Sequence, residues 1–230
     1  MATTAPLADI LTGRTEQHLI MLDNGFAIHH AMQHPWQQLY DAAKAAGIHL
    51  TMVSAFRSFE RQATIWQAKY EGRRKVYDLQ QHAVDLQQLQ GYHKLSAILL
   101  YSALPGASRH HWGTELDLYD AAAVSNDYQP RLQTAEYMEG GPFYPMVQWL
   151  QQHATDFGFY FPYKVYQGGV AAEPWHLSFR PQAGQYATKL TVSLLRECLL
   201  LHPVAGQQLV LQYLPDIYRQ FITNTCEDLI

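Results

Sequence analysis

Apolar residues from Pro35 to Ala46 recur at helical spacing, and Gly47 follows them as a stop, which predicts a helix there. Ile48 to Val53 changes to a β-rich run, and Ser58 stands where it can cap a second helix running towards Tyr70. Helical patterns also cover Val76 to Gln90, which is Gln-rich and exposed on one side, then Tyr92 to Ala103 and Pro142 to His153. In the extended segment through Asp117, alternation puts Glu115 and Asp117 on one side and turns Leu116 and Leu118 to the core. Ala121 to Gly141 has weak periodicity, and lids and substrate-binding loops are drawn from such stretches. Phe159 to His176 reads as a hairpin turning at Gly168-Gly169, with Glu173 and His176 on its second strand. Strict alternation would send those two to opposite faces, so a bend or bulge is expected near Pro174. Past residue 184 the chain continues as two helical patterns, Tyr186 to Leu201 and Ala205 to Thr223, broken at His202-Pro203.

Composition narrows the class. With 230 residues, 48% of them apolar and 13% aromatic, the chain can fill a real core. A net charge of −4 and a pI near 6.3 leave no electrostatic footprint for nucleic acid. Arg73-Arg-Lys75 is the one short basic run; it reads as a solvated helix end or loop, with contact to an anionic part of a substrate as the alternative. Leu194 to Val204 is apolar but interrupted, and far short of the roughly 20 residues of a membrane span, so a buried helix is expected. The first residues hold no basic residue before Arg14 and no apolar run fit for a signal-peptide core, which makes the cytoplasm the expected location. Cys198 and Cys226 give no disulfide framework, in keeping with a reducing compartment.

The chemistry concentrates in two short segments. Ser108-Arg-His110-His-Trp-Gly113-Thr-Glu-Leu-Asp117 offers an imidazole and a carboxylate, and Glu173-Pro-Trp-His176 offers a second imidazole with a glutamate three positions before it. Two imidazoles and one carboxylate suit Zn²⁺, which takes N and O ligands tetrahedrally and in catalytic sites keeps one position for water. A neighbouring glutamate can accept a proton from the attacking water and hand it to the departing amine.

The combined pattern S-x-H-(x)6-D followed by E-P-W-H resembles the VanY-type zinc D-alanyl-D-alanine carboxypeptidases, whose relatives include VanX dipeptidases, lysostaphin-like endopeptidases and the hedgehog domain. Ser54-Ala-Phe-Arg57-Ser-Phe-Glu-Arg-Gln62 matches the family's S-x-x-R stretch, and Leu104-Pro-Gly-Ala-Ser108 resembles its lead-in to the first ligand. Phe157-Gly-Phe159 resembles the segment before the last strand, so the likeness runs over residues 35 to 180. It implies that His110, Asp117 and His176 hold zinc, that Glu173 is the general base, and that Arg57 stabilises the oxyanion or grips the peptide's carboxylate. Ser108, Gln62 and Trp175 are implied as substrate or outer contacts, Trp175 as a packing or pocket-wall residue. Glu115 departs from the family, which has a small residue there, and is read as an extra carboxylate near the metal.

The fold expected on these grounds is α+β, with an antiparallel sheet carrying the zinc site, helices flanking it and a C-terminal helical extension. Residues 1–183 would form the catalytic domain, and 184–230 an extension packed on the core, with dimerisation the lesser alternative. The implied substrate is a peptidoglycan stem peptide or muropeptide that loses a terminal D-alanine, through an L,D bond in a recycled tetrapeptide or a D,D bond in a pentapeptide. An endopeptidase of the same family and a non-catalytic zinc-binding module are the rivals. His111 is assigned an outer or surface place rather than ligation, and His29, His30, His34 and His93 lack a partner at ligand spacing.

Overall fold

The computed structural model describes residues 6–226. In chain order the elements are α1 (Leu7–Leu11), β1 (Leu19–Met21), β2 (Ala27–His29), α2 (Gln33–Ala45), β3 (Leu50–Ser54), α3 (Phe59–Tyr70), β4 (Val76–Tyr77), β5 (Ala83–Val84) and α4 (Gly91–Leu99). They continue as β6 (Glu115–Asp120), α5 (Thr134–Tyr137), α6 (Tyr144–His153), β7 (Phe159–Tyr160), β8 (His176–Phe179), α7 (Arg180–Ala187), α8 (Val192–Leu201) and α9 (Gln207–Ile217). The central sheet has the order β3-β6-β8-β7 with all neighbours antiparallel, while β1–β2 and β4–β5 are separate two-stranded ribbons. This is the expected α+β fold, a helix-flanked antiparallel sheet with a helical C-terminus.

Alternation along β6 decides which face carries chemistry. Leu116 and Leu118, with Leu177 of β8, pack in a cluster with Trp36 and Leu39 of α2 and Leu150 of α6. Glu115 and Asp117 take the other side and meet Ser178 and His176 directly across the ladder. A second cluster joins Trp66 of α3 and Leu95 of α4 to Leu195, Val210 and Leu214 of the last helices. Each such buried side chain contributes about 1.5–3 kcal/mol from lost water contact, so α8 and α9 share one core with α3 and α4. Helix α7 runs across residue 183.

Several local expectations hold. Helix α2 ends before Gly47, and the Ser58 hydroxyl accepts from Arg61 N at 3.2 Å to cap α3. Four need correction. Val76 to Gln90 is not a helix but the β4–β5 ribbon followed by a 3-10 turn at Leu86–Gln88. The cause is Asp78, whose carboxylate accepts from Gln80 N and His82 N and gives the backbone a turn in place of helical bonds. Tyr186 to Leu201 is two helices, because Thr191 caps a fresh one through Leu194 N. Leu194 to Val204 is amphipathic rather than buried all round: Leu195 and Leu199 are fully covered, whereas Leu200 and Leu201 are 59% and 75% exposed. The predicted hairpin pairs only at its ends, Phe159 with Phe179 and Tyr160 with Ser178, and residues 161–175 between them form an irregular loop that carries Glu173.

The segment after α1 braces the centre of the molecule. Trp112 Nε1 donates to Leu11 O at 3.1 Å, and Phe59 N donates to Gly13 O at 2.9 Å. Gly13 has φ of +74°, and a Cβ there would lie 2.3 Å from Nδ1 of His111, a ring with no room to retreat. Gly13→Ala is therefore expected to lower stability by at least about 2 kcal/mol through left-handed strain plus overpacking. The denaturant midpoint measures this, and an unchanged midpoint would refute the bracing role.

Candidate metal centre

Three hydrogen bonds stitch the strand leaving β3 to the turn Arg109–Trp112. His110 Nδ1 donates to Ala55 O at 2.7 Å, Arg57 N donates to His110 O at 3.1 Å, and His111 Nδ1 donates to Arg57 O at 2.6 Å. His111 Nε2 accepts from Gly106 N at 3.1 Å, and burial drives its pKa down to about 3, so it stays neutral. This histidine is a clamp that sets Arg57 beside His110, and both its nitrogens are occupied. Gly113 ends the turn at φ +68°, where a Cβ would stand 2.9 Å from His29 N, and this close approach explains the glycine in the motif.

His110, Asp117 and His176 converge: one donor atom from each lies within 4.8 Å of the others, and all three residues are buried. With its Nδ1 given to Ala55, His110 presents Nε2, which is 3.4 Å from Asp117 Oδ2. His176 presents Nδ1, which is 3.1 Å from Asp117 Oδ1 and 3.5 Å from Glu173 Oε2. The expected bend is a turn with Pro174 at its second position, closed by His176 N donating to Glu173 O at 3.0 Å. Because Glu173 sits ahead of the strand, it reaches the same face as His176.

The donor chemistry fits a divalent cation. Burial disfavours charge on His176, yet hydrogen bonds and charge from Asp117 and Glu115 push its pKa up to about 10, so a proton occupies the place a cation would neutralise. Burial alone would raise Asp117, but His110 and His176 hold it far below the usual carboxylate range. Burial, only partly opposed by His176, pushes Glu173 up to about 7, a range useful to a proton carrier.

Glu115 does not line the cavity. It lies behind His176, accepts from His176 Nε2 at 2.8 Å, and is fully covered. Its other oxygen accepts from Ser178 Oγ at 2.7 Å, Thr114 Oγ1 at 3.0 Å and Arg109 Nη2 at 3.2 Å. Burial opposes its charge, but Arg109 and His176 hold it down to about 2. A carboxylate behind a ligating imidazole fixes the tautomer and raises ligand basicity.

Arg57 donates Nη1 to Gln62 Oε1 at 2.9 Å and Nη2 to Ser54 Oγ at 3.0 Å, so one edge of its fork is held by neutral groups. Gln62 spends its own amide N–H on Ala103 O at 2.6 Å and anchors Arg57 from outside the cavity lining. A cavity of about 280 Å³ opens over the cluster, with Arg57, Ser108, Glu173 and Trp175 in its wall, and Trp175 also packs on Tyr137. Arg131, Leu132 and Gln133 of the weakly periodic stretch form one side, pinned because Glu136 accepts from the backbone N–H of Arg131 and Gln133. The sequence reading missed Arg109 as the partner of Glu115, although a motif acid six residues after an arginine was visible. It also missed Lys69, which carries no motif.

Two imidazoles, a carboxylate and a nearby glutamate thus converge on one face of an antiparallel sheet, a donor set that fits a divalent cation. A family model described as VanY: D-alanyl-D-alanine carboxypeptidase matches residues 25–182, and the chain belongs to that family. A D-alanyl-D-alanine carboxypeptidase of Enterococcus faecalis is 28% identical over 176 residues, 75% of this chain and 54% of that protein. An uncharacterized protein of Haemophilus influenzae is 40% identical over 100 residues, 42% of this chain and 68% of its own. The solved structure of VanYB in complex with D-alanine-D-alanine shares the fold at a TM-score of 0.52 and 24% identity, over 80% of this chain and 88% of that one. The LdcB LD-carboxypeptidase does so at 0.52 and 22%, over 76% and 75%.

Two outcomes test the centre. Glu115→Gln should weaken Zn²⁺ binding by about 10- to 100-fold, read by competition with a chromophoric chelator. Metal must also displace the proton on His176, whose pKa is about 10, so below that value affinity should fall about tenfold per pH unit for that proton. An affinity flat from about pH 8 down to about pH 6 would sink this account of the donor set.

Proposed function

We propose that this protein is a zinc-dependent carboxypeptidase that releases the terminal D-alanine of peptidoglycan stem peptides. The observation that carries the reading is the convergence of His110, Asp117 and His176 beneath a cation-lined cavity, with Glu173 at 3.5 Å from His176. Zn²⁺ held by those three would make an activated water available at neutral pH. Glu173 takes the proton of the attacking water and returns it to the departing amine. Arg57, fixed by Gln62, Ser54 and the His111 clamp, turns its remaining N–H groups to the substrate's terminal carboxylate or to the developing oxyanion. Ser108 and Trp175 complete the wall against which the peptide end lies. Among the described residues no helix is long and apolar enough to cross a membrane.

Glu173→Gln should keep the metal while lowering turnover by at least about a hundredfold, the scale of a lost general base; near-normal turnover would move the base elsewhere. Assays on defined tetrapeptide, pentapeptide and cross-linked dimer, with mass detection of products, separate L,D-, D,D- and endopeptidase activity. If Arg57 holds the terminal carboxylate, amidating that terminus removes a charge-assisted contact of about 1.5–3 kcal/mol and should slow cleavage at least about tenfold. Equal rates on free acid and amide would refute the carboxypeptidase reading in favour of the endopeptidase.

A further inference from the structure

One wall of the metal cavity carries more positive charge than the proposed reaction uses. Lys69, Arg74 and Arg131 all line it, together with Arg57. None of the three takes part in an ion pair among the described residues. The only carboxylates in the lining belong to Asp117 and Glu173, which the metal and the proton chemistry engage. With a divalent cation on the donor set and one terminal carboxylate on Arg57, an excess of positive charge remains. Arg74 and Arg131 are exposed at the cavity mouth and Lys69 is half-buried below them, so an anion entering the cavity meets all three.

The placement of this charge is built. Lys69 stands two turns after Gln62 on α3, about 10 Å further along the axis. Both side chains reach the same segment: Gln62 donates to Ala103 O, and Lys69 Nζ donates to Ser102 Oγ at 2.5 Å. Arg74 folds back beside Lys69, its N–H on Ala68 O at 2.9 Å. Tyr101, which accepts from Gln81 Nε2 at 2.6 Å, adds a hydroxyl to the same wall. Burial, reinforced by Arg74 and only partly offset by Glu173, brings the Lys69 pKa down to about 8.

We infer that Lys69 and Arg74 form a second carboxylate-binding site, which takes the side-chain carboxylate of an acidic penultimate residue while Arg57 takes the terminal one. The inference rests on the carboxypeptidase reading and narrows its substrate class to stem peptides whose penultimate residue carries a free side-chain carboxylate. One extended residue spans about 3.3–3.6 Å, so a terminal carboxylate and the far carboxylate of a long penultimate side chain lie on the order of 10 Å apart. Helix α3 sets Lys69 on that scale, about 10 Å along its axis from Gln62, the residue that anchors Arg57. In a stem tetrapeptide that residue precedes the last bond, which selects the L,D cleavage.

The test compares two tetrapeptides, both with a free terminus, one with the penultimate side-chain carboxylate free and one with it amidated. Calorimetric binding is measured on zinc-loaded Glu173→Gln protein with and without Lys69→Met and Arg74→Gln, changes that keep the side-chain stems. The free acid should bind at least about tenfold tighter, and that ratio should fall to near one in the Lys69→Met/Arg74→Gln background, while affinity for the amide stays within about twofold. Equal binding of the two peptides, or a ratio that survives the double substitution, overturns the site. Turnover by the unsubstituted enzyme is read in parallel. Loss of turnover on both peptides with the binding preference intact would sink the carboxypeptidase reading and leave the second site standing.

Discussion

The register of one ladder, Asp117 opposite His176 between β6 and β8, is the constraint on which the metal centre depends. A slip of one residue would turn every side chain of β8 to the other face. What forbids the slip is apolar: Leu116 stands opposite Leu177, and both are wholly buried in the cluster below the sheet. The hydrophobic effect thus sets the spacing of two polar donors that have no reason of their own to approach. Glu173 is placed separately, by the Pro174 turn and by its N–H bond to Tyr163 O at 2.9 Å. The segment after α9 supports that loop from outside, since Gln220 donates to Gly168 O, Asn224 to Gln167 O and Cys226 N to Pro162 O. The C-terminal extension therefore bears on the Glu173 loop through hydrogen bonds as well as through shared core.

Behind the centre lies a fully buried charge pair, Arg109 with Glu115, and such pairs seldom repay their loss of water. Arg109 even leaves its Nε without a partner. An apolar pair of similar volume would stabilise the fold at least as well. What it could not do is accept from His176 Nε2 and so assign Nδ1 to the cavity side. The pair, with Ser178, Thr114 and Tyr160 around it, is explained by what it does to one imidazole rather than by stability.

Much of this was legible in the chain. His110, Asp117 and His176 stand at spacings that need only one ladder and one turn to converge, and Pro174 announced the turn. Helices with a clear stop or cap, α2 before Gly47 and α3 after Ser58, were readable for the same local reason. What failed were segments where a side chain competes for the backbone, as Asp78 does in the β4–β5 ribbon and Thr191 at the start of α8. Glu115 was seen as a departure and as a carboxylate near the cluster, where its 2.8 Å contact with His176 Nε2 puts it, but alternation gives a face and not a depth, so its place behind the imidazole and outside the cavity wall was not legible. His111 could not be placed from its number alone, because both its partners, Gly106 N and Arg57 O, are backbone groups that leave no trace in residue identity.

Net charge illustrates the same limit. A total of −4 excludes a nucleic-acid footprint, yet the cavity gathers Arg57, Lys69, Arg74 and Arg131 around two carboxylates. Averages over the chain erase such local concentration, and it is the local field that a peptide end meets. Arg57, Lys69 and Arg74 stand before, on and just after α3, and the return of the 131–133 segment to the rim brings Arg131 to them. In water their mutual repulsion would be screened within a Debye length of about 8–10 Å. For the buried Arg57 and half-buried Lys69 the screening is weaker, and an entering anion relieves the repulsion. A charge that costs stability in the free protein would thereby become attraction in a complex with an anion.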